Sequence, residues 1–106
     1  MAAHVTDNPD KSRFEVTAGD DGTELAGFAE YFLSEADGEI AFTHTEIDAR
    51  FGGQGLGGVL AKAALDAARE RGLAVLPYCP FIRGWIGKHP EYTDLVPESR
   101  RATFGL

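Results

Sequence analysis

The sequence predicts an α+β domain in which an antiparallel meander leads into a βαβ unit with a short final helix. Three observations carry this. Alternating apolar and polar segments, broken by Gly/Asp turns, occupy the stretch up to Ile47. A glycine-rich stretch then gives way to apolar residues at helical spacing. A short, continuously apolar run follows that helix.

Residues 1–11 mix small, polar and charged types and are expected to form a flexible leader. The domain proper is expected over 12–97, with a tail at 98–106. Arg13 to Thr17 alternates as a half-buried strand does, and Gly19-Asp20-Asp21-Gly22 marks a turn. Leu25 to Leu33 reads as a second, aromatic-rich strand, and Ala36-Asp37-Gly38 as a hairpin turn. Glu39 to Ile47 is the third strand. Plain alternation puts Ile40, Phe42, His44 and Glu46 on one face, with Ala41, Thr43, Thr45 and Ile47 on the other. From Leu56 a helical stripe runs through Val59, Leu60, Ala63, Ala64 and Ala67, and Gly72 closes the helix. Leu73 to Leu76 is expected as a buried strand parallel to the third. Phe81 to Lys88 reads as a short helix ended by His89-Pro90.

A chain of 106 residues excludes a TIM barrel or a complete two-lobed dinucleotide-binding fold. A net charge of -7 argues against a nucleic-acid or anionic membrane-surface partner. No apolar run approaches the ~20 residues of a membrane span, and the start lacks a signal-peptide core. A single cysteine excludes an intrachain disulfide and any multi-cysteine zinc site, so no metal is expected. These features point to a reducing, cytoplasmic setting.

The stretch Arg50-Phe51-Gly52-Gly53-Gln54-Gly55-Leu56-Gly57-Gly58 lies between a predicted strand and a predicted helix. A helix start offers unpaired N–H groups and the positive end of the dipole, and glycines let a phosphate approach the backbone. The alternative is tight helix–sheet packing that needs small residues. Gly53 and Gly58 have P-loop spacing, yet Val59 and Leu60 stand where Lys and Ser/Thr belong. Gly53, Gly55 and Gly58 fit G-x-G-x-x-G, yet no acidic residue ends Leu73–Leu76 to hold a ribose.

The stretch Gly52-Gly53-Gln54-Gly55-Leu56-Gly57 resembles the [Arg/Gln]-x-x-Gly-x-[Gly/Ala] signature of the GNAT N-acetyltransferase superfamily, with Gly52 in place of the usual Arg or Gln. His44-Thr45-Glu46-Ile47, Pro77-Tyr78-Cys79-Pro80-Phe81 and His89-Pro90-Glu91-Tyr92 resemble that superfamily's small, single-domain members over about Phe14 to Val96. The resemblance implies a GNAT-like fold and acetyl-CoA as co-substrate. The diphosphate would lie over Gly52, Gly53, Gln54, Gly55, Leu56, Gly57 and Gly58, and the pantetheine arm along Glu46 and Ile47. It implies transfer of an acetyl group to a small-molecule or protein amine; the oligomeric state is open.

Transfer to an amine needs a base, oxyanion stabilisation and an outlet for the leaving thiolate. His44 is the candidate base, because an imidazole titrates near neutrality, and Glu46 is placed to orient it or pass its proton on. The alternative is a histidine packed beside Phe42. Cys79 is either an acyl-accepting nucleophile, an acid for the leaving thiolate, or a small buried hydrophobe. Larger relatives often carry a tyrosine acid in the helix after this strand. Here Trp85 and Ile86 occupy that neighbourhood, and Tyr78 and Tyr92 flank it. Arg50, Arg83, Lys88 and His89 are either phosphate contacts or solvated charges. Two other functions fit the same residues: a non-catalytic acyl-CoA-binding or sensor module, and a protein-interaction domain with packing glycines.

Overall fold

The structure, a computed structural model, describes residues 3–106. Strands β1 (His4–Asn8), β2 (Arg13–Ala18), β3 (Glu24–Ser34), β4 (Glu39–Ile47) and β5 (Ala74–Pro77) form one sheet in that order. All neighbours are antiparallel except β4 and β5, which are joined by helix α1 (Leu56–Glu70) and run parallel. Helix α2 (Pro80–Lys88), a 3-10 segment at Pro90–Leu95 and helix α3 (Glu98–Arg101) complete the chain with a last 3-10 turn at Ala102–Phe104. The meander, the βαβ unit and the short helix are thus as the sequence predicts. Among the described residues, no helix is long and apolar enough to cross a membrane.

The segment expected to be a flexible leader instead supplies β1; its first two residues lie outside the described ones. Val5 pairs with Val16 and Asp7 with Phe14. The Asp7 carboxylate accepts a 2.6 Å hydrogen bond from the Tyr31 hydroxyl and lies 3.6 Å from the Arg71 guanidinium. Burial, followed by the bond to this carboxylate, pushes the Tyr31 phenol up to about 12. The anchor is polar and long-range, so apolar patterning does not reveal it. The tail is also built in. Phe104 is buried, its ring edge-on to Tyr78 at 5.2 Å, and Arg100 donates to the Tyr78 hydroxyl.

Two bulges shape the sheet beside the loop that follows β4. Glu30 pairs with His44 but Tyr31 with Phe42, so Thr43 is an extra residue. Ile40 and Phe42 are fully buried, whereas Thr43 and His44 are both exposed. Alternation resumes beyond them with Thr45 and Ile47 turned inward and Glu46 outward. The expected single face of Ile40, Phe42, His44 and Glu46 is therefore split in two. Ala26 is the matching extra residue on β3 against β2.

Helix α1 lies across the inner face and touches all five strands. It buries Leu56, Leu60, Ala61, Ala64, Leu65 and Ala68, while Val59 is exposed. The stripe is rotated from the predicted one. Alanine occurs all round this helix, so its period cannot fix the rotation; the bulk of Leu60 and Leu65 does. Tyr92 donates to Asp66 and Arg69 pairs with Asp94, which tie the segment after α2 to α1.

Candidate functional site

The ladder between β4 and β5 covers only Glu39–Phe42 against Ala74–Pro77. Pro77 and Pro80 lack N–H groups and turn the chain away, while β4 continues from Thr43 to Ile47 with β3 as its sole neighbour. The Cys79 amide donates to the Phe42 carbonyl, the last backbone tie before the strands part. Ligands of parallel α/β units gather at such an opening beyond the strand C-termini.

The glycine loop begins at the same opening. Asp48 caps a 3-10 turn over Ala49–Phe51 by accepting from the Arg50 amide, and also binds the Arg50 side chain. These contacts, the backbone one first, hold the Asp48 carboxyl below its ordinary range. The cation nearest the loop is thus already paired. Gly53 and Gly55 have φ of +80° and +73°, values that L side chains rarely adopt, and Gly55 is the N-cap of α1. The first inward bond runs from the Val59 amide to the Gly55 carbonyl. Among the described residues, the amides of Gly53, Gln54, Gly55, Leu56, Gly57 and Gly58 have no partner. Six successive unpartnered donors at a helix start are an arrangement able to receive an anion.

The last two loop glycines also serve packing. A Cβ on Gly57 would lie 2.7 Å from the Phe81 ring, and one on Gly58 would meet the Trp85 indole at 3.5 Å. Gly58 has ordinary helical geometry and room for a methyl group, so Gly58→Ala is expected to raise stability by about 0.5 kcal/mol. Urea unfolding midpoints check this.

His44 and Glu46 are together: Nε2 to Oε1 is 3.1 Å, with both side chains more than half exposed on the outer face. His44 therefore does not pack under α1; its ring lies beside Phe28. Cys79 is 3% exposed, and its Sγ lies 3.2 Å from the Thr45 hydroxyl. Thr45 and His44 point to opposite faces of β4, and no contact joins His44 to Cys79 among the described residues. Thr45 is the polar side chain that sequence reasoning missed, because the bulge that turns it inward has no motif.

The flanking tyrosines are engaged elsewhere. Tyr92 donates to Asp66 at 2.7 Å, a bond that raises its phenol, and Tyr78 accepts from Arg100. A cavity of about 450 Å³ borders the loop, lined by Gly19, Asp20, Glu24, Phe51 and Gln54.

No curated protein matches the sequence. The fold is similar to a GCN5-like protein from Staphylococcus aureus solved by NMR, with TM-score 0.64 and 24% identity over 89% of this chain and 87% of that one. Weaker similarity extends to a ribosomal-protein-alanine N-acetyltransferase from Brucella melitensis biovar Abortus 2308, with TM-score 0.47 and 22% identity over 83% of this chain and 65% of that one. A nourseothricin acetyltransferase matches with TM-score 0.48 and 25% identity over 69% of this chain and 55% of that one. The family model described as GCN5-related N-acetyl-transferase matches residues 13–95, most of the sheet, the glycine loop and α2. With that span covered, the chain belongs to the GCN5-related N-acetyl-transferase family.

Proposed function

We propose that this protein transfers the acetyl group of acetyl-CoA to an amine. The observation that carries this is the set of six unpartnered amides from Gly53 to Gly58 beside the parting of β4 and β5. The diphosphate is held by this loop, with Gly52 leading into it, by main-chain donors that need no net positive charge. The pantetheine arm runs along the unpaired edge of β4 toward Ile47.

The amine nitrogen attacks the thioester carbonyl, the C–S bond breaks, and the nitrogen loses a proton as the amide forms. His44 takes that proton, with Glu46 as its carboxylate partner. Cys79, hydrogen-bonded to Thr45 where the strands part, supplies a thiol proton to the departing thiolate. Asp20 and Glu24, lining the cavity beside the loop, favour a cationic amine as acceptor.

A non-catalytic acyl-CoA-binding module is the second reading. It is favoured by the engagement of Tyr92 with Asp66 and of Tyr78 with Arg100 in bonds that tie the fold together.

Thiol release from acetyl-CoA, measured across a panel of small amines and peptide N-termini, distinguishes the two. Turnover with at least one acceptor is expected, and His44→Ala should slow it by about a hundredfold. Binding of acetyl-CoA without turnover selects the second reading. No binding overturns both.

A further inference from the structure

The outer face of the sheet carries an arrangement that the acetyl-transfer reading does not use. Helix α1 packs across the inner face, whereas on the outer face Phe32 of β3 is 69% exposed. Phe28 and Glu30 precede it on the same side, since Ala29 and Tyr31 between them are buried inward. Beside Phe28 this face already receives a cation. The Arg13 guanidinium lies 4.5 Å from the Phe28 ring centre, and its Nε donates to the Glu15 carboxylate at 2.8 Å. That ring and that carboxylate are cross-strand partners. Phe32 and Glu30 offer the same two groups, about 7 Å apart along β3, without the guanidinium. Among the described residues, no Lys or Arg lies over the Phe32 ring and none pairs with Glu30. Arg13 stands opposite Glu30 in the ladder but is turned to Glu15. The surrounding field favours a positive visitor. The meander up to Asp48 holds most of the chain's acidic residues and, of its Lys and Arg, only Lys11 and Arg13. His44 pairs with Glu30 across the ladder and is exposed on this same face. Its place on the sheet is thus about 7 Å along the strands from that of Phe32, the spacing of alternate side chains in an extended chain.

We propose that this face docks an extended, basic segment of an acceptor protein, with an arginine over Phe32 and beside Glu30, and a lysine two positions away at His44. The place of the lysine rests on His44 taking the amine proton in acetyl transfer. The place of the arginine rests on charge complementarity and on the Arg13 arrangement next to it.

The test uses two end-blocked peptides, Gly-Ala-Lys-Ala-Arg-Ala-Gly and its counterpart with citrulline, a neutral isostere, in place of arginine. In titration calorimetry without acetyl-CoA at low ionic strength, the arginine peptide should bind about fivefold more tightly, the worth of one exposed cation on a ring with a carboxylate beside it. Phe32→Leu should bring the two affinities together. It leaves every charge in place, so general attraction between a basic peptide and an acidic protein does not account for that loss. Glu30→Gln should narrow the ratio to about twofold. Glu70→Gln, the same charge change at the end of α1, should leave it intact. Circular dichroism confirms folding of each variant. With acetyl-CoA present, the wild type should acetylate the lysine of the arginine peptide with a kcat/KM about fivefold above that of the citrulline peptide. Equal affinities in the wild type, or a ratio that Phe32→Leu leaves unchanged, overturn the docking face; acetylation of both peptides at one rate would then leave the transfer reading standing. An arginine preference that Phe32→Leu erases, without acetylation of the lysine, upholds the docking face and counts against acetyl transfer.

Discussion

Replacing Gly27 with alanine should destabilise the domain by about 3 kcal/mol or more, a large share of the 5–15 kcal/mol typical of a small domain. The added Cβ would lie 2.4 Å from the Glu46 carbonyl oxygen and 2.5 Å from Ile47 Cδ1, with Ile47 Cα at 3.1 Å. Two of these are backbone atoms of β4 and cannot swing aside. Gly27 pairs with Ile47 on one side and Val16 on the other, so it sits in the middle of the sheet. Next to it, the Asp48 amide donates to the Ala26 carbonyl at 2.7 Å, the bond that starts the loop. Forcing β3 and β4 apart would therefore disturb both the core and the approach to the glycine loop. Urea unfolding followed by circular dichroism measures the change. A midpoint close to wild type would mean that β4 approaches β3 less closely than described.

Gly55→Val should abolish carrier binding while the fold survives. The residue sits at φ +73° with nothing within 4 Å of a would-be Cβ, so a side chain there clashes with no part of the protein. It would instead strain the backbone by about 1–2 kcal/mol and project into the space before the free amides. At 100 times its Kd, a ligand that binds only the folded state adds about 2.7 kcal/mol of stability. That gain should appear for the wild type with acetyl-CoA and vanish for Gly55→Val. Gly38→Val is the control, since Gly38 has φ +65° and an equally open surround in the turn before β4. It should lose similar stability and keep the full ligand-induced gain. Equal ligand responses in both variants would remove the loop from the binding site.

Much of this was legible in the sequence because it rests on local chemistry. The change from alternation to helical spacing at Leu56 locates the βαβ unit, and the glycines between strand and helix locate the run of unpartnered amides. What stayed hidden depends on distant partners. Strand β1 is held by Tyr31 and Arg71 on Asp7, and the tail by Phe104 against Tyr78. Neither leaves an apolar period to read. His44 and Glu46 do share a face, as their spacing implies, but the bulge at Thr43 moves that face to the outside and brings Thr45 to Cys79. A motif reports which residues are near one another along a strand; the bulge decides which side they serve.

Thr43 in effect shifts the phase of β4 midway. Upstream, even-numbered positions fill the interior; downstream, odd-numbered ones do. Were Thr43 instead paired in the ladder like its neighbours, a uniform rhythm would carry the imidazole and its carboxylate into the oily layer beneath α1 and expel a hydroxyl that a thiol relies on. A strand that must both seal a core and display polar groups thus keeps its two duties separate through one surplus amino acid.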